Sequence, residues 1–147
     1  MNFNNFEKLS DNAKEYEKTL KKQELYWKER LDTLPGNPYV YGIYQMIGGH
    51  DGLFLPLRYW KNCIEKENYT LLYAGETDTD NLDRLYLAFG NNLDGSKPQG
   101  FLGRTLSVSD IIVMRKAGKE TGTWSAWFVE DIGFADVTEQ FITENQN

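Results

Sequence analysis

The sequence predicts an α+β domain, with about four strands in a mainly antiparallel sheet, helices covering one face, and a long helix at the N-terminus. Three observations lead there. Apolar residues recur at seven-residue spacing between Asp11 and Leu34, and aromatic and β-branched residues gather in separate runs beyond residue 38. The last two runs are joined by a short Lys, Gly and Thr stretch that suits a hairpin. With 147 residues, 40% hydrophobic and 14% aromatic, one domain can bury roughly two-thirds of its unfolded surface.

The first element reads as a helix from Asp11 to Leu34, with Ser10 or Asp11 as N-cap and Pro35-Gly36 as its stop. Ala13, Leu20, Trp27 and Leu34 form the stripe, which Tyr16 and Leu31 widen. So narrow a stripe fits a single seam, against the helix's own domain or against a partner or second copy, while Lys and Glu solvate the other faces. Residues 1–38 therefore read as a helical arm, with Trp27 as its contact residue, and 39–147 as the α+β domain. A homodimer through the helix is one expectation of this reading.

Tyr39 to Ile47 is rich in Tyr, Val and Ile and reads as a strand ended by Gly48-Gly49. Leu55-Pro56-Leu57 opens a short helix through about Glu67, because Pro suits a first helical turn and Leu57, Trp60 and Ile64 keep helical spacing. Tyr69 to Ala74 is the next strand, and Glu76 to Asp83 an acidic turn. Asn81 to Asn91 then places Leu82, Leu85, Tyr86 and Phe89 on one face of a core-facing helix. Leu93 to Gly103, with three Gly and a Pro, reads as a surface loop. Ile111 to Met114 and Trp124 to Val129 make an antiparallel pair across the hairpin connection K-A-G-K-E-T-G-T.

The net charge of −6 argues against a broad nucleic-acid-binding face, which needs clustered Lys and Arg, and favours a protein partner with a basic surface. The acidity lies outside the first helix. Glu7 to Asp32 balances seven acidic against seven basic residues, whereas Glu120 to Asn147 carries six acidic and no basic ones. The single cysteine, Cys63, forms no internal disulfide, no leader pattern opens the chain, and no apolar run reaches the roughly 18 residues of a membrane span. A cytoplasmic protein without membrane attachment is expected.

Tests for chemistry return little. His50 in G-G-H-D-G lacks H-E-x-x-H or C-x-x-C company, and metal sites gather three or four ligands. Cys63 in W-K-N-C-I-E-K has only His50 as a base. Counted from Glu76, a Ca²⁺ loop would need Gly at position six and Glu at twelve, where Asn81 and Leu87 stand. Glycines at 90–103 lack a phosphate-loop pattern, and the serines of L-S-V-S-D lack a G-x-S-x-G elbow. Ser107, Ser109 and Asp110 instead suit a turn in which hydroxyls and carboxylate cap backbone N–H groups. No catalytic residue, cofactor or metal is expected.

G-R-T-L-S-V-S-D-I-I-V-M, a variable hairpin, and A-W-F-V-E-D-I-G-F together resemble the signature of the YodL-like domain. Upstream, Tyr39 to Met46, L-P-L-R-Y-W, N-Y-T-L-L-Y-A-G and L-D-R-L-Y-L-A-F resemble its strand, helix, strand and helix in order, so that the likeness spans about residues 39 to 141. Trp127 and Phe128 stand where the family commonly has two tyrosines, and Glu130-Asp131 where it often has Asp-Ser. The resemblance implies a small protein or module of Firmicutes, their phages and conjugative elements, in genomic company that counters host restriction or CRISPR systems. It carries over no catalytic residue.

The functional expectation is thus a non-enzymatic mobile-element inhibitor, of anti-CRISPR or antirestriction type, that binds a host protein such as a defence nuclease. Its expected contacts are Glu76, Asp78, Asp80 and Asp83, then Glu130, Asp131 and Asp136, and Trp27 on the helix. A scaffold or regulatory interaction module unrelated to defence is the alternative, and a hydrolase using His50 and Cys63 the last.

Overall fold

A computed structural model describes residues 3–47, 54–59, 64–90, 98–117 and 124–142, giving only the backbone for residues 3–11. The turn at Gly48-Gly49, His50, Trp60, Cys63 and most of the hairpin connection lie outside the described residues.

The sheet has five strands rather than the expected four, all antiparallel: β1 (Tyr39–Gln45), β2 (Thr70–Thr77), β3 (Ile111–Lys116), β4 (Ser125–Val129) and β5 (Phe134–Asp136), in the order β2-β1-β3-β4-β5. The fifth is three residues long, too short to show alternation. It follows a turn at Gly133 (φ 74°) and pairs Phe134 with Val129. The earlier strand runs fall as expected, with β2 reaching further, to Thr77, and so taking in Glu76.

Three helices complete the fold: α1 (Phe3–Thr33), α2 (Leu82–Phe89) and α3 (Thr138–Ile142). Helix α1 begins well before Ser10 and Asp11, which lie inside it, since a cap-type residue within a helix costs well under about 1 kcal/mol. Helix α2 is capped by the Asn81 carboxamide, which accepts from the Asp83 N–H at 2.9 Å. The helix expected from Leu55 to Glu67 is not formed: Leu57–Tyr59 and Lys66–Asn68 are separate 3₁₀ turns, with Ile64 and Glu65 non-helical. Proline at a first turn permits a helix without supplying the propagation a long one needs.

Helices cover both faces, not one. On the first face Val40, Tyr44, Leu71, Ile111, Val113, Ala126 and Phe128 pack with Trp27 and Leu31 of α1 and Phe141 of α3. On the second, Tyr41, Ile43, Leu72, Ile112, Met114 and Val129 pack with Leu85 and Phe89 of α2 and with Phe101 and Leu106 of the following loop. Central strands buried on both faces explain why β3 reads as an unbroken apolar run instead of an alternating one.

Helix α1 straddles the open edge of β2, since Leu20 joins the second apolar cluster while Trp27 and Leu31 join the first. Its polar side chains serve that edge. A Glu24 carboxylate oxygen accepts from the Leu71 N–H at 2.8 Å, and Arg30 Nε donates to the Ala74 carbonyl at 3.3 Å. Edge backbone groups invite pairing with other chains, and a covering helix blunts them. Gly42 allows the close approach, because a Cβ there would lie 3.0 Å from Leu31 Cδ1 and 3.1 Å from both Leu71 Cδ1 and Val113 Cγ2. Trp27, expected to meet a partner, is instead 6% exposed and stacks near Tyr73 with ring centroids 5.0 Å apart. Burying a large ring against the sheet satisfies the stripe within the chain itself.

Candidate binding surface

The loop before β3 is tied into the sheet by Asp110, whose side chain is wholly buried. Arg104 meets it with two hydrogen bonds, Nη2 to Oδ1 at 2.6 Å and Nη1 to Oδ2 at 2.8 Å, while the Ser107 N–H and Gln45 Nε2 donate to Oδ2 at 2.8 and 3.1 Å. Burial pushes the carboxyl up to about 6, against the pull of Arg104, the Ser107 N–H and Gln45 toward the ionised form. Ser109 holds φ 87°, a left-handed conformation unusual for a serine. Three bonds hold it there: its N–H donates to the Val129 carbonyl (2.9 Å), its carbonyl accepts from Tyr69 Oη (2.8 Å), and its hydroxyl oxygen accepts from the Phe54 N–H (3.0 Å). The capping expected in this turn is present for Asp110, at the Ser107 N–H, whereas the Ser109 hydroxyl accepts from the distant Phe54 N–H and the Ser107 hydroxyl donates to the Thr105 carbonyl, at 2.9 Å. No base stands by either hydroxyl among these contacts.

The C-terminal acidic residues are similarly engaged by their own chain. A Glu130 oxygen accepts from the Leu57 N–H at 2.7 Å, Asp131 pairs with Arg58 at 3.3 Å on the surface, and Asp136 accepts from both the N–H and the hydroxyl of Thr138 at the start of α3. The two Thr138 bonds hold the Asp136 carboxyl below the usual aspartate range.

Glu76, Asp78, Asp80 and Asp83 differ. All four are exposed, and among the described residues none of their carboxylates accepts a hydrogen bond or pairs with a cation. Side chains of Thr77 and Thr79 shape the turn between them by accepting from the Thr79 and Asn81 N–H groups at 3.3 and 3.0 Å. Asp80 and Asp83 stand at a groove of about 510 Å³ whose aromatic walls are Tyr39, Trp127 and Phe134 and whose rim includes Lys116. Trp127 is oriented by its indole N–H, which donates to Ser125 Oγ at 3.0 Å. Carboxylates beside aromatic faces suit a cationic side chain, through an ion pair and contact with the ring. The turn and β4 lie far apart in sequence, so only the folded sheet shows that they share this groove.

Sequence reasoning missed a second surface. Phe54, Leu55, Tyr59 and Ile132 are 52%, 40%, 61% and 91% exposed, on two segments joined by the Leu57–Glu130 and Arg58–Asp131 contacts. Apolar residues in a turn carry no periodicity from which to read exposure. Among the described residues no group of three or more His, Cys, Asp or Glu is placed to hold a metal ion, and no helix is long and apolar enough to cross a membrane.

Comparison with known proteins finds the YodL-like domain over residues 41–141, from the third residue of β1 into α3 and without α1. No curated protein and no solved structure matches the chain.

Proposed function

The chain belongs to the YodL-like domain family, and on that premise we propose that it works by contact, as a non-enzymatic inhibitor from a mobile element that binds a host defence nuclease. The reading rests on one observation: among the described residues the carboxylates of Glu76, Asp78, Asp80 and Asp83 are spent on no internal contact, and two of them border an aromatic groove. Nucleases present basic channels to DNA, and an acidic surface steers toward such a channel and competes for it. Glu130, Asp131 and Asp136 contribute less, because their hydrogen-bonding capacity is already used within the fold.

The deciding experiment incubates the purified full chain with a panel of Cas and restriction nucleases and measures binding and DNA cleavage. Inhibition of one nuclease, relieved by charge reversal at Asp80 and Asp83, is the expected outcome. Absence of binding and unchanged cleavage across the panel would remove the counter-defence reading.

A scaffold or regulatory role through α1 is the second reading, favoured by Leu25 and Tyr26, which are 76% and 55% exposed on the helix's outer side. A solution mass independent of concentration would sink its dimeric form.

A further inference from the structure

The two edges of the sheet differ. At β2, helix α1 covers the edge and meets its backbone, with Glu24 accepting from the Leu71 N–H and Arg30 donating to the Ala74 carbonyl. At β5, the opposite edge, β4 is the one neighbouring strand among the described residues. The Val137 N–H donates to the Ala126 carbonyl at 2.9 Å and the Glu130 N–H to the Gly133 carbonyl at 3.0 Å. The bonded pairs of this antiparallel register are therefore Ala126 with Val137, Phe128 with Ala135 and Glu130 with Gly133. Phe134 and Asp136 fall between them, so their N–H and C=O groups face away from β4. Among the described residues nothing bonds to those groups.

The aromatic groove lies beside this edge. The register sets Phe134 opposite Val129 and Asp136 opposite Trp127, and both side chains fall on the second face. Phe134 walls the groove of about 510 Å³ together with Tyr39 and Trp127, and all three rings are partly exposed. The charged lining of Asp80, Asp83 and Lys116 leaves one negative charge, and Asp136 adds another at the edge itself.

We propose that β5 docks an extended, basic segment of a partner protein by strand addition, an inference that rests on the contact reading above and names the element of the partner that is recognised. The segment's main chain pairs with the outward N–H and C=O groups of Phe134 and Asp136, and a Lys or Arg on the second face enters the groove toward Asp80 and Asp83. An added strand lies about 4.8 Å beyond β5, with alternate side chains on each face. Pairing along so short a strand is weak by itself, and the groove adds the side-chain contact that selects a basic segment. A second copy of β5 fits less well, because it would bring another Asp136 to the same edge.

The probe is the hexapeptide acetyl-Arg-Thr-Arg-Thr-Arg-Thr-amide, titrated into the full chain and followed by two-dimensional NMR. Its controls are the corresponding Glu-Thr peptide and the Arg-Thr peptide N-methylated throughout, which keeps its charge but donates no backbone hydrogen bond. Saturating shifts are expected at the Trp127 indole N–H, together with slowed hydrogen exchange at the Phe134 and Asp136 amides and little change at Ala135, which already faces β4. Both controls should bind at least about tenfold more weakly. Asp80→Asn combined with Asp83→Asn should weaken the Arg-Thr peptide at least about threefold. Three results would each overturn the proposal: no saturation by about 1 mM, shifts centred away from β5, or equal binding of the N-methylated peptide. Protection of Phe134 and Asp136 that rises with protein concentration alone would also overturn it, by assigning the edge to a second copy. Peptide binding at β5 without inhibition anywhere in the nuclease panel would support the docking edge and remove the defence target. Nuclease inhibition without peptide binding would do the reverse.

Discussion

Arg104 grips Asp110 through both guanidinium nitrogens, at 2.6 and 2.8 Å, and so places a fully buried carboxylate at the point where the loop after α2 enters β3. The pair lies within the stretch that most resembles the family signature. Its contacts run inward, to Gln45, the Ser107 N–H and the Thr105 carbonyl, which makes the signature a device for building the sheet.

Removing the cation should therefore be costly. Arg104→Met leaves the Asp110 carboxylate buried without its partner, a change worth about 3–5 kcal/mol when a buried pair is broken. Arg104→Lys should lie between the variant and the natural protein, since one ammonium cannot reproduce the two-pronged contact. Urea unfolding at pH 7 measures both, and a loss under about 1 kcal/mol for Arg104→Met would contradict the assignment.

The same carboxyl sets a pH dependence. An unfolded aspartate titrates near about 3.9, and burial raises Asp110 in the folded protein to about 6. Between those values the folded state binds more protons. Asp110 thus contributes most to stability below about pH 4, and that contribution is lost as pH rises through about 6. Measured against Asp110→Asn, the natural protein should gain stability as pH falls from 7 to 4.5, by no more than about 1.4 kcal/mol per pH unit. A flat or opposite difference would mean that Arg104 outweighs burial.

The edge contact of α1 has its own signature. Glu24→Ala removes the acceptor of the Leu71 N–H, which should destabilise the protein by roughly 1–3 kcal/mol and speed hydrogen exchange at that amide. Glu24→Gln keeps an acceptor oxygen and should fall near the natural protein. Unchanged exchange at Leu71 in Glu24→Ala would show that the helix does not cap the strand.

Trp27→Ala tests where the helix seam lies. Trp27 is 6% exposed against the sheet and Leu25 is 76% exposed. The first truncation should cost about 3–5 kcal/mol, and Leu25→Ala within about 0.5 kcal/mol of nothing. Similar values for the two would place the helix away from its domain.

Charge reversal at the acidic turn should separate binding from folding. Asp78→Lys and Asp80→Lys remove carboxylates that have no partner among the described residues, so thermal unfolding should shift by no more than about 0.5 kcal/mol equivalent. Affinity for the inhibited nuclease should fall at least about tenfold, with a weaker salt dependence.

The sequence by itself determined the fold class, the strand runs 39–47, 69–74, 111–114 and 124–129, the long helix, and the absence of a recognisable catalytic pattern, because each rests on local periodicity or on residue chemistry at fixed spacing. It also carried the family, through R-T-L-S-V-S-D and the W-F-V-E-D stretch, and the capping role of Asp110. Only the tertiary structure decided the rest. Strand β5 is too short for alternation to show, and α2 reaches the second face through topology that no local pattern records. Whether the Trp27 stripe met a partner or its own sheet turned on Gly42, whose missing side chain matters only once Leu31, Leu71 and Val113 converge on it. The acidic turn likewise became a candidate surface when folding set Asp80 and Asp83 beside Trp127 and gave Glu130, Asp131 and Asp136 internal partners instead. Charge is legible along a chain, but whether a charge is free for a partner depends on which backbone N–H or cation the fold brings within about 3 Å of it.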